Sequence, residues 1–117
     1  MIEEYSFTKE GYRAVLERGE WKIGILRYSD RFSSLGELEK HVKTDEAFVL
    51  LCGSATLYTD GECREMKPLT VYNIPAGVWH HIVVSEDATV LIVEDRDTSK
   101  ENTMKKYFNS QGGTVSC

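Results

Sequence analysis

The stretch EKHVKTDEAFVLLCG, Glu39 to Gly53, decides how this chain is read, because one histidine and three acidic residues stand just ahead of an apolar run that ends in glycine. From Ala47 to Cys52 the residues are apolar on both parities, which is how a strand covered on both faces reads. Glu39 and His41 are two apart, so on an extended chain they project from one face, with Lys40 and Val42 on the other. The turn-prone segment Lys43-Thr44-Asp45 can bend the chain and return Glu46 to that face. A carboxylate that opens an apolar strand is costly to bury alone, so Glu46 is expected to have a partner.

Working outward, short extended runs recur. Trp21 to Ser29 (WKIGILRYS) alternates Trp21, Ile23 and Ile25 with Lys22, Gly24 and Leu26, which reads as a strand with one wetter face. Ahead of it, Gly11 to Glu20 fits either a short strand or one helical turn, and Ser29 to Leu38 reads as a connecting loop. After Gly53, ATLYTDGECREM sets Asp60-Gly61 between two extended runs, a hairpin signal. Pro68 and Pro75 bracket a short strand, WHHIVV (Trp79 to Val84) gives another, and TVLIVE (Thr89 to Glu94) the last. Beyond Asp95 hydrophobicity falls into a tail over 95–117, where Met104, Tyr107 and Phe108 have the spacing of one short docking helix. Short strands at near-regular spacing predict an all-β antiparallel sandwich or barrel in one domain, residues 1–117, with its core over about 21–94.

The second constellation is IPAGVWHHIVV, where Pro75 and Gly77 make a tight entry and the strand then turns His80 and His81 to opposite faces. His80 is expected to point inward, and His81 to cap the outer face or a subunit contact. Glu46, six residues and Gly53, together with Pro75-x-Gly77-x-x-His80, resemble the two motifs of cupins, which are small double-stranded β-helix or jelly-roll barrels. In that alignment His41 matches the second histidine of the first motif and Glu39 stands where the first would be. Leu69 replaces the opening glycine of the second motif and Val84 its closing asparagine. The resemblance spans roughly Trp21 to Glu94. It implies one divalent transition metal inside the barrel, held by Glu39, His41, Glu46 and His80, a mixed nitrogen and oxygen set that suits manganese, iron, zinc or nickel. If Glu39 turns outward, two histidines and one carboxylate remain as a facial triad. Without metal, Glu39 and Glu46 held close would repel, and one would keep a proton for acid–base chemistry.

Composition bounds the partners. With 117 residues, 41% hydrophobic and 28% charged, the chain is an ordinary globular one. The net charge of −5 and the scattered lysines and arginines give no footprint for nucleic acid. No apolar run is long enough to span a bilayer and the start is acidic, so a cytoplasmic protein without membrane contact is expected. Three cysteines without Cys-x-x-Cys spacing argue against a disulfide framework, and Cys52 reads as a small core residue. Strands apolar on both faces point to a homodimer. The resulting expectation is a small cytosolic cupin that binds a divalent metal and binds or converts a small polar metabolite, such as a sugar derivative or oxo-acid. A metal-free ligand-binding sensor and a metal-free isomerase or epimerase are the alternatives.

Overall fold

The computed structural model describes residues 1–107. Ten strands follow one another: β1 (Gly11–Arg18), β2 (Trp21–Arg27), β3 (Glu37–His41), β4 (Glu46–Cys52), β5 (Ala55–Thr59), β6 (Cys63–Glu65), β7 (Tyr72–Ile74), β8 (His80–Val84), β9 (Thr89–Asp95) and β10 (Thr103–Tyr107). Two single 3-10 turns, Asp30–Phe32 and Lys100–Asn102, are the helical elements among the described residues. The strands form two five-stranded antiparallel sheets, β1-β2-β9-β4-β7 and β10-β3-β8-β5-β6.

The two sheets share one core. Leu26, Phe48, Leu50, Val90 and Ile92 from the first sheet meet Ala55, Leu57, Ile82 and Val84 from the second. Each fully buried aliphatic or aromatic side chain stabilises the fold by about 1.5–3 kcal/mol. Val84, which stands where the family motif has asparagine, is one of these core residues.

Two expectations, for the segment after Asp95 and for Cys52, meet a different outcome, and the structure adds which face of β2 is inward. In β2 the parity that carries Lys22 faces inward: Gly24 and Leu26 are buried, whereas Trp21 is 42% exposed. Ile23 and Ile25 therefore lie on the outer face, beside Val93 and Leu91, which pair in turn with Ala47 and Val49. That outer face is apolar across its three central strands. The segment after Asp95 forms a strand rather than a docking helix, because β10 adds to the edge of β3, with Thr103 opposite His41 and Tyr107 opposite Glu37. Phe108 lies outside the described residues. Cys52 is an exposed free thiol at the end of β4 rather than a core residue, and Cys63 is disulfide-bonded.

The hairpin at Asp60-Gly61 forms as expected, but its turn needs no left-handed glycine. Thr59 closes it instead: its N–H donates to the Glu62 carbonyl at 2.8 Å, and its hydroxyl accepts from the amides of Gly61 and Glu62. The left-handed positions are elsewhere, and two of them explain the family motifs. Gly53 has φ 71°, and a Cβ there would fall 2.5 Å from the Cα of Ala88. Leu69 stands in place of a motif glycine yet keeps the left-handed backbone, with φ 61° and a fully exposed side chain.

Two stability measurements test this geometry. Gly53→Ala combines left-handed strain with a backbone overlap that cannot relax, and should cost about 2 kcal/mol or more in denaturant unfolding. Leu69→Gly removes about 1–2 kcal/mol of strain and adds about 0.5–1 kcal/mol of backbone freedom, so the variant should be more stable by up to about 1 kcal/mol.

Candidate functional site

The bend at Lys43-Thr44-Asp45 carries the chain from one sheet to the other, so His41 on β3 and Glu46 on β4 face each other across the interior. Asp45 fixes this bend, its carboxylate accepting from the Ala76 amide at 2.9 Å and the Asn73 side chain at 3.1 Å. Oε1 of Glu46 meets Nε2 of His41 at 3.0 Å and Nε2 of His80 at 2.9 Å. All three residues are buried, and the two imidazole centroids are 5.3 Å apart. Phe48 forms the floor, its ring edge-on to His80. The structure thus brings His41, Glu46 and His80 together at one point.

The other nitrogen of each ring is also held. Nδ1 of His80 donates to the Val78 carbonyl at 3.0 Å, since a carbonyl can only accept. Nδ1 of His41 lies 2.9 Å from the Thr103 hydroxyl, and that hydroxyl spends its own proton on the Ser99 carbonyl at 2.6 Å. It therefore accepts from His41. Both rings carry a proton on Nδ1 and turn Nε2 to the same point, the arrangement in which a histidine is oriented to ligate metal. The segment after Asp95, read from the sequence as a tail, thus supplies the group that orients His41.

Glu39 is half-buried and directly opposite His80 in register. Its carboxylate lies within 4.8 Å of ring nitrogens of His41 and His80, but Oε2 is also bonded to Nη2 of Arg31 at 2.8 Å. His81, expected to cap the outer face or a subunit contact, is buried. Its Nε2 donates to the Arg31 carbonyl at 3.1 Å, and its ring stacks on Phe32 at 5.9 Å. Burial pushes its pKa below the ordinary histidine value, in keeping with a neutral donor.

Sequence reading missed Glu94. It sits directly opposite Glu46 in the β4–β9 register, and these two buried carboxylates, with His41, bring ligand atoms within 4.8 Å of one another. Like charges directly opposed across strands repel. Burial and the charge of Glu46 push the Glu94 carboxyl up to about 7. Glu46 is itself opposed by burial, but its bonds to His41 and His80 win and lower it to about 2. Burial pulls His41 down, yet Glu46 outweighs it and the net shift is upward. Tyr12 donates to Glu94 at 2.8 Å, and burial with the nearby Glu94 raises the phenol above its ordinary value. Lys22 lies 3.7 Å from Glu94 and donates to the Thr98 carbonyl at 2.8 Å. The sequence signal was parity: Glu94 follows Val90 and Ile92 on the inward face of β9. Gly24 makes room for Tyr12, since a Cβ there would fall 2.2 Å from the phenol ring.

These residues line one cavity of about 640 Å³, with Arg31, Lys105 and Ser99 also on its wall. Two fixed imidazoles and a facing pair of buried carboxylates form a donor set that fits a divalent cation, which would neutralise the opposed charges.

No protein-family model and no curated protein matches the chain. Solved structures do. A cupin-2 domain protein from Shewanella frigidimarina is 22% identical with a TM-score of 0.63, covering 77% of this chain and 85% of its own. KdgF from Halomonas is 20% identical with a TM-score of 0.63, covering 81% and 89%. The fold is that of a small cupin jelly roll. Pac13, a nucleoside dehydratase that has also been solved from Streptomyces with uridine, is 11% identical and superposes at a TM-score of 0.70, covering 94% of this chain and 95% of its own. At these identities the cupin likeness speaks for the fold alone, and the chemistry rests on the cavity.

The carboxylate pair makes a pH prediction for chelator-treated protein. Glu94 is raised from 4.5 to about 7, so its contribution favours the fold below about pH 4.5 and is lost as the pH rises through about 7. The raised His41 value acts in the same direction at higher pH. Glu46 acts oppositely, its stabilisation being lost only as the pH falls from 4.5 toward about 2. The melting temperature should fall by several degrees between about pH 5 and 7.5, and Glu94→Gln should flatten that slope.

Proposed function

We propose that this cupin holds one divalent transition metal through His41, His80 and Glu46, with Glu94 or Glu39 completing the set, and that its cavity binds or converts a small polar metabolite. The observation that carries this reading is the pair of imidazoles whose Nδ1 protons are committed to Val78 and Thr103, leaving Nε2 of each to face one carboxylate oxygen. A metal bound there would supply Lewis-acid polarisation of a carbonyl or hydroxyl. The chain's own residues contribute the rest. Val78 and Thr103 orient the ligating nitrogens, Phe48 closes the floor against water, and Tyr12 holds Glu94 toward the cavity. That Pac13 is a nucleoside dehydratase and has been solved with uridine supports a small-molecule ligand in this fold, though not a particular one.

Elemental analysis of protein purified without chelator or a nickel column should give close to one manganese, iron, zinc or nickel ion per chain. His41→Ala and His80→Ala should each lose it, while His81→Ala, whose Nε2 is committed to Arg31, should keep it. Metal-free wild-type protein would overturn the reading and leave acid–base chemistry or plain ligand binding in its place.

We also infer a homodimer through the outer face of the first sheet, where Ile23, Ile25, Ala47, Val49, Leu91 and Val93 lie side by side. A partly exposed apolar face of this kind marks an association surface. Leu91→Lys should convert a dimer to a folded monomer in sedimentation analysis. Wild-type protein that sediments as a monomer would refute the dimer.

A further inference from the structure

We propose that Arg31 docks an anion in this cavity and that the ligand carries a carboxylate, placing it among small hydroxy- or oxo-acids. The proposal rests on reading the cavity as a ligand site, but not on the metal.

Arg31 lies in the 3-10 turn Asp30–Phe32 and lines the cavity, with its guanidinium bonded to Glu39 of the same wall. Three contacts fix it. Nε donates to Oε1 of Glu37 at 3.0 Å, Nη2 donates to Oε2 of Glu39 at 2.8 Å, and the group sits 5.0 Å above the Phe32 ring. A guanidinium has five N–H donors in a planar fork, and the described residues occupy only two of them. The side chain is 41% exposed, so the remaining donors are open to a ligand. An arginine already immobilised by its neighbours loses little further freedom when an acceptor arrives, which favours binding.

Its position relates it to the histidine cluster. Glu39 bonds Arg31 while its carboxylate stays within 4.8 Å of ring nitrogens of His41 and His80, so the guanidinium is one carboxylate removed from the imidazoles. A short molecule can span both: a carboxylate on Arg31, and a hydroxyl or carbonyl oxygen toward His41, His80 and Glu46.

Local charge selects the anion. Lys105 lies 3.8 Å from Glu37 and lines the same cavity, so two cations, Arg31 and Lys105, stand against two anions, Glu37 and Glu39. A balanced wall accepts a planar monoanion that matches the guanidinium fork. A phosphate dianion would meet about twice the repulsion from the two flanking carboxylates that a monoanion meets.

The test follows the Arg31 Nε–H resonance by NMR in the intact protein. Lactate, 2-oxobutyrate and gluconate are titrated against lactamide, sorbitol and inorganic phosphate. At least one acid should shift this resonance and bind about ten-fold more tightly than its neutral counterpart. Arg31→Gln should lose about ten-fold in that acid's affinity, with Arg31→Lys falling between. Three results would each overturn the proposal: no acid shifts the resonance, phosphate binds more tightly than every acid, or Arg31→Gln changes acid affinity by less than about two-fold. Should Arg31→Gln fail to fold, the wild-type resonance and Arg31→Lys decide alone. Metal content measured on the same samples separates the two ideas. Acid binding without metal refutes only the metal reading, and metal retained with acid binding insensitive to Arg31 refutes only this one.

Discussion

One carboxylate oxygen joins the two halves of this molecule. Oε1 of Glu46, on β4 of the first sheet, meets ring nitrogens from β3 and β8 of the second. A buried, ionised carboxylate is tolerated only where it is hydrogen-bonded, and here the bonds come from residues that the core packing alone would not have to bring together. The orientation of both imidazoles follows from that contact. The rings cannot turn away without leaving a buried charge unpaired, and their far nitrogens donate to a carbonyl and a hydroxyl that fix the orientation of each ring.

Beside this cross-sheet contact runs a row along the first sheet, Lys22, Glu94 and Glu46, in direct register. The two carboxylates are neighbours that would ordinarily be avoided in an interior. Lys22 and Tyr12 moderate the repulsion from one side only, and Tyr12 reaches Glu94 because β2 has no side chain at Gly24. The interior therefore combines a tightly packed apolar floor with a polar ceiling in which two opposed carboxylates share one lysine. Such an imbalance is characteristic of a place built to receive something.

Much of this was legible in the sequence, and the parts that were not share a physical reason. Period-two patterns, the Asp60-Gly61 turn and the two prolines located most strands, since these signals are local. The spacing of Glu46, Gly53, Pro75, Gly77 and His80 pointed to the fold because glycine and proline mark backbone shapes that few residues can adopt. Leu69 shows the limit: the left-handed turn persists without its glycine. Glu94 and Tyr12 were hidden because their role depends on register between strands far apart in sequence. The inward face of β2 is not evident from its pattern because the interior there is polar near the cavity, so the more hydrophobic parity is the outer one. Glu39 lay where the spacing put it, but nothing local revealed that Arg31 would share its carboxylate.

Thr103 carries an implication for how the molecule comes together. It orients a histidine sixty-two positions earlier, and Glu46 bonds one thirty-four positions later. Contacts this distant along the chain cost more loop-closure entropy than a local hairpin does. During synthesis the imidazole of His41 emerges long before the hydroxyl that will hold it. Competence to bind is thereby tied to the docking of β10 on the edge of β3, since only that pairing brings Thr103 to the ring.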